Sequence, residues 1–98
     1  MTGKLLKIEA EFIIFEIETH KIYMAGVRPA ISLSKGLFSA NLSGKENETE
    51  FLRGKKYNVV LEFIGIEESQ ALEAERGYEF NVHAGALIIG KGVVLNRL

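Results

Sequence analysis

Two histidines, His20 and His83, come first among residues that could do chemistry, because the chain has no cysteine and all thirteen acidic residues are glutamate. Two imidazoles and a carboxylate can hold a metal. Neither His-x3-His nor His-Glu-x2-His occurs, however, so the spacing gives no support to such a site. His20 falls in a Thr19-His20-Lys21 turn, and His83 sits on a polar strand face two residues from Asn81. Both positions suit solvated histidines. Ser32, Ser34, Ser39, Ser43 and Ser69 include no Gly-x-Ser-x-Gly elbow, which removes the serine-hydrolase signature. Gly90-Lys91-Gly92 has the look of a phosphate turn, but a phosphate loop opens a helix. Val93-Val94-Leu95 continues as strand, so those glycines are expected to allow close packing or a bulge. A non-catalytic chain with no cofactor and no metal is the expectation.

Binding chemistry has two candidate sets. Lys35, Lys45, Arg53, Lys55 and Lys56 fall in loops around the middle strands, with Phe38 or Tyr57 available for base stacking. Glu46, Glu48 and Glu50 are interleaved with them, and a solvated mixed-charge region is the plainer expectation. The second set is apolar. Ile13, Val60, Ile64, Leu87 and Ile89 depart from the dominant core parity or lie where both strand faces are apolar. Soluble chains seldom leave such surface open, so a protein partner or a homodimer is expected there. The competing expectation is that the fold bends and closes over these residues.

The elements that must position these residues read as strands. Residues 4–18 begin with strict alternation, with Leu6, Ile8, Ala10, Phe12 and Ile14 apolar. Beyond that point the parity changes, because Ile13, Phe15 and Ile17 become the apolar set. A period of two that changes phase predicts a bulge or a bend between sheets. A second extended stretch, residues 22–34, is interrupted by Gly26-Val27-Arg28-Pro29, with Pro29 marking an edge or a strand start. Lys35-Gly36 predicts a turn before residues 37–42, and residues 43–50 predict the longest exposed loop. Tyr57, Val59, Leu61 and Phe63 alternate after an Arg53-Gly54-Lys55-Lys56 turn. Residues 67–76 predict a loop holding at most one helical turn. Tyr78, Phe80, Val82 and Ala84 share a face. Residues 86–95 are apolar on both faces apart from Lys91, which predicts a strand covered on both sides. About six strands at short spacing predict one small all-β barrel or sandwich spanning residues 1–98.

Composition narrows the partners. The chain has 98 residues, and twelve basic against thirteen acidic side chains leave a net charge of −1. That balance exerts no global pull on nucleic acid or anionic lipid. No apolar run approaches the ~20 residues of a membrane-spanning helix. Lys4 and Lys7 are followed by alternating charge rather than by the apolar core of a signal peptide. Without cysteine or an export signal, a cytoplasmic location is expected.

The order of signals resembles the C-terminal barrel domain of elongation factor Tu. KIEAEFIIF, GVRPAISL, FLRGKKYNVVLEF and RGYEFNVHAGALIIGKGVV look like successive strands of that domain, from about Lys7 to Leu98. That family has a Gly-aromatic-Arg-Pro turn, a Pro-Gly-Asp turn before an alternating strand, and a final hairpin ending in Gly-x-Gly-Val-Val. The matching segments here are Gly26-Val27-Arg28-Pro29, Arg53-Gly54-Lys55 and Gly90-Lys91-Gly92-Val93-Val94. The resemblance implies a closed six-stranded antiparallel barrel. Departures from the family limit what else it implies. No Gly-x4-Gly-Lys-Ser/Thr loop is present. The family's Arg-Glu-Gly-Gly-Arg turn, which helps hold the tRNA T stem, corresponds to His83-Ala84-Gly85-Ala86-Leu87, with both arginines absent.

The expected function is therefore a non-catalytic protein-binding module on a translation-factor-like barrel, with Ile13, Val60, Ile64, Leu87 and Ile89 as its contacts. The alternative is an RNA- or tRNA-binding barrel using Arg53, Lys55, Lys56 and His83. No membrane and no metal partner is expected.

Overall fold

The computed structural model describes residues 4–16, 22–24 and 28–98, leaving aside the side chains of Lys4, Leu5, Ile22, Met24, Ile64 and Glu68. The strands are β1 (Lys4–Ile14), β2 (Ile22–Met24), β3 (Ala30–Leu33), β4 (Gly36–Gly44), β5 (Glu50–Leu52), β6 (Lys56–Ile66), β7 (Glu79–Ala84) and β8 (Leu87–Arg97). Six close a barrel in the order β1-β6-β4-β3-β7-β8, and β2 pairs with β5 in a separate two-stranded sheet. Every pairing is antiparallel. The expected all-β closed six-stranded antiparallel barrel is what forms. Among the described residues no helix is long and apolar enough to cross a membrane. The one helical element among the described residues is the short 3-10 turn Glu68–Gln70, within the segment expected to hold at most a single turn.

Period-two alternation builds the interior. Ile8, Ala10, Phe12 and Ile14 of β1 are buried, as are Val59, Leu61 and Phe63 of β6, and Phe80 and Val82 of β7. Each large apolar side chain taken out of water contributes about 1.5–3 kcal/mol. On β8 the position opposite both Phe12 and Phe80 is Gly92, and the one opposite Ile14 and Val82 is Gly90. A Cβ on Gly92 would sit 2.5 Å from Phe80 Cζ and 2.8 Å from the Glu11 carbonyl oxygen. The missing side chain therefore makes room for a phenyl ring, as the strand reading of Gly90-Lys91-Gly92 required.

Three expectations differ from the structure. β1 keeps its parity to Ile14, so Ile13 and Phe15 face outward, with Ile13 half-buried and Phe15 exposed. The register irregularities of β1 fall at Lys4/Leu5 and Glu9/Ala10 instead. Local alternation cannot say whether a strand bends or simply ends. β8 is apolar on both faces but not covered along its whole length, since Leu87 and Ile88 at its start are exposed. Residues 43–50 carry the end of β4 and the start of β5 as well as a loop. Pro29 stands just before β3, as a proline at a strand start should, and its carbonyl accepts from Ala40 N at 3.1 Å. The Thr19-His20-Lys21 turn, and Gly26 and Val27 of the Gly26-Val27-Arg28-Pro29 segment, lie outside the described residues.

Both mouths of the barrel are covered. At the Ile14 end, Phe51 of β5 is buried edge-on against Phe12 (centroids 5.3 Å) and Tyr57 (5.0 Å). The β5–β6 turn is tied there by Gly54 N, which donates to Ile14 O at 2.7 Å; Gly54 has a φ of 86°, a value that favours glycine. At the Ile66 end, residues 67–78 lie across the opening with Ala71 and Ala74 buried. Arg97 donates to the carbonyls of both alanines, and the Ser34 amide donates to Glu73.

Candidate functional site

The antiparallel register of β6, β1, β8 and β7 sets outward residues in rows. One row reads Lys56, Ile13, Lys91, Asn81, each opposite the next; the following row reads Asn58, Glu11, Val93, Glu79. The intervening Phe12 and Phe80 point inward, so these two rows share the outer face. All of them except Asn58 line an open groove of about 530 Å3, whose floor reaches Phe12, Phe80 and the Gly92 backbone. Ile13 and Val93 are half-buried at its centre, while Lys56, Lys91 and Glu79 are exposed. None of Lys56, Glu11, Lys91 and Glu79 makes an ion pair among the described residues. Phe15, Leu87 and Ile88 are exposed and lie outside the groove lining. The Phe15 amide N–H donates a hydrogen bond to the Ile89 carbonyl oxygen at 2.8 Å.

The groove gathers some of the apolar candidates and not others. Ile13 lies within it, and Leu87, exposed at the start of β8, does not line it. Ile89 is half-buried and packs against the core. Val60 stands on β6 opposite Glu9 and Ser43, away from the groove. There Lys45, whose amide donates to Asn58 O, reaches across β6 beside Val60 to hold the Glu9 carboxylate. That hydrogen bond keeps Glu9 below the usual carboxylate range, against the upward push of burial. The side chain of Ile64 lies outside the described residues.

The basic candidates divide. Lys55, Lys56 and Tyr57 line a second open pocket of about 590 Å3 together with Lys45, Glu46, Glu48 and Asn58. Lys55 Nζ stands 5.3 Å from the Tyr57 ring centre, a cation–π contact. Arg53 is engaged elsewhere. Its guanidinium lies 5.7 Å from the Tyr23 ring centre and Nη1 donates to Phe15 O at 3.4 Å. Burial raises the Tyr23 phenol above its ordinary pKa, and the Arg53 charge acts in the opposite direction. His83 stands on β7 opposite Ala30 and Ile88, at the same end of the barrel but three strands round from Lys56. Its Nδ1 and Arg53 Nε are buried without a hydrogen-bond partner among the described residues. His20 lies outside the described residues, and among those described no three His, Cys, Asp or Glu side chains gather as metal ligands would.

Sequence reasoning missed Glu11, Glu79, Lys91 and Val93. The patterns Glu11-x-Ile13, Lys91-x-Val93 and Glu79-x-Asn81 each present two outward residues, but only the strand register makes them neighbours.

Fold and surface together define a closed six-stranded antiparallel β-barrel with a charged, apolar-floored groove on its outer wall. No protein-family model and no curated protein matches this chain.

Proposed function

We propose that this barrel is a non-catalytic protein-binding module that engages its partner through the outer wall of β1, β8 and β7. One observation carries the reading: half-buried Ile13 and Val93 line an open groove among charges that make no ion pair among the described residues, and the two strands that supply them also carry exposed Leu87 and Ile88 on β8 and lead into exposed Phe15 after β1. Apolar surface ringed by unpaired charges has the composition of a contact site, with a water-excluding centre and a polar edge. The likeness to the elongation factor Tu barrel domain is part of the same reading, since a barrel of that kind serves as a docking body beside other domains. The test is a tagged pull-down from nuclease-treated host lysate at high salt, repeated with Leu87→Glu and Ile13→Glu. Retention of a specific protein, lost in both variants, supports the module. A barrel that retains nothing, or retains the same proteins in all three forms, overturns it.

The second reading is an RNA contact, favoured by the meeting of Lys55, Lys56 and Tyr57 in one pocket. Against it, Glu46 and Glu48 line that pocket, Lys45 is held by Glu9, and Arg53 and His83 lie outside it. RNA retained at low salt and released steeply as salt rises would favour this reading.

A further inference from the structure

The ladder between strands runs out at the Ile66 end of the barrel. β3 pairs with β7 only at Ala30–His83 and Ile31–Val82, and β4 pairs with β6 only from Ala40 onward. The end of the β3–β4 hairpin, residues 32–39, therefore has no ladder to either neighbouring strand. Side chains close the seam instead. Ser32 Oγ accepts from Asn81 N at 2.8 Å, and the Ser32 carbonyl accepts from Tyr78 Oη at 3.1 Å.

The strap of residues 67–76 crosses the same end and is held in the same way. Its backbone bonds are local: Gln70 N to Glu67 O, Ala74 N to Ala71 O and Glu75 N to Glu73 O. Among the described residues no backbone–backbone bond joins the strap to a barrel strand. Arg97 grips the Ala71 and Ala74 carbonyls, Glu73 accepts from the Ser34 amide, and the two alanines are buried. Past the strap the chain is anchored again, where Gly77 N donates to Val94 O at 2.8 Å.

We propose that the strap and the hairpin end form one lid over the Ile66 mouth, which lifts as a unit while the rest of the ring stays closed. Ser34 and Glu73 stand 39 positions apart, and their bond is the joint between the two parts. A segment opens locally when little apolar surface and few bonds hold it. The strap buries two methyl groups, and its one large apolar side chain, Leu72, is exposed. Backbone entropy of the ordered strap works against so small a burial. The far side of the ring is held differently, by the long β1–β6 ladder from Lys4 to Ile13 and the β1–β8 ladder from Ile8 to Ile14. Lifting uncovers the apolar interior at this end, where Leu33 and Ile66 are buried in the closed state. The lid is independent of the protein-binding reading.

Native-state hydrogen exchange on the whole chain, followed residue by residue by NMR, tests the lid. The telling amide is that of Asn81, because its partner, Ser32 Oγ, belongs to the hairpin and not to the strap. In wild type the Ser34, Ala74 and Asn81 amides should share one opening equilibrium, and amides along the β1–β6 ladder should exchange about a hundredfold more slowly or less. Ala74→Gly, a change confined to the strap, should speed Ser34 and Asn81 by one common factor of about threefold to tenfold and leave the β1–β6 amides unchanged. With Glu73→Ala added, which removes the joint, Asn81 should no longer respond to Ala74→Gly. An Asn81 amide unmoved by Ala74→Gly alone overturns the lid, as does an acceleration that spreads to the β1–β6 ladder, which would mean that the barrel opens as a whole. A response of Asn81 that survives Glu73→Ala overturns the joint.

Discussion

Lys45, the residue after β4, and Glu9 of β1 form an ion pair that links two strands which do not pair, by passing over β6 between them. Glu9 is a buried charged residue, 8% exposed, and the lysine is what makes that placement tolerable. The pair fastens the 45–49 loop to the barrel wall, and in doing so keeps Val60 beside a polar contact rather than beside an open apolar face.

This pair should be visible as acid sensitivity. The hydrogen bond from Lys45 lowers the Glu9 pKa in the folded state, with burial opposing it. A depressed folded pKa means the stabilisation is fully present above the unfolded value, ~4.3, and is lost as pH falls through the folded value. Urea denaturation from about pH 6 to about pH 3 should show stability falling across that window. Lys45→Met should flatten the fall relative to wild type, and an identical pH profile for the two proteins would exclude the mechanism.

Gly92→Ala should destabilise the barrel by about 1–3 kcal/mol, because the new methyl meets both the Phe80 ring and the Glu11 carbonyl. Gly90→Ala should cost as much or more, since its Cβ would press on the Ile13 carbonyl, a backbone atom that cannot rotate away. Denaturation midpoints of the two variants measure this directly. Wild-type stability in either would mean β8 can shift outward freely.

Phe51→Ala should cost about 3–5 kcal/mol and free the mouth at the Ile14 end. Its ring is buried and edge-packed on both Phe12 and Tyr57, so no neighbour is placed to fill the space alone. Thermal unfolding gives the magnitude. Amide exchange should accelerate first in β2 and β5, which form a sheet of their own and depend on this ring for attachment.

Arg97→Met should loosen residues 67–78 while the barrel stays closed. The guanidinium donates to the carbonyls of Ala71 and Ala74, and a carbonyl left unsatisfied in a buried position costs about 1–3 kcal/mol. Limited proteolysis should cut near exposed Leu72 faster in the variant than in wild type. Equal cutting rates would mean that the Ser34–Glu73 bond and the buried alanines suffice to hold the segment.

Alternation along residues 4–14 and 57–63, and the turns at Lys35-Gly36 and Gly54, were legible in the chain because each depends on residues close in sequence. The same holds for the glycines of β8, whose setting in a strand rather than before a helix excluded a phosphate loop. Closure of the ring belongs to the tertiary structure, since it depends on β8 pairing with β1 across most of the chain length. So does the candidate site. Glu11 and Glu79 are 68 positions apart, yet each stands opposite Val93. Residue types fixed which side chains could face water and which the core, because period two acts locally. Which outward residues became neighbours, and so where charge and apolar surface meet, was decided by the register of strands brought together from distant parts of the chain.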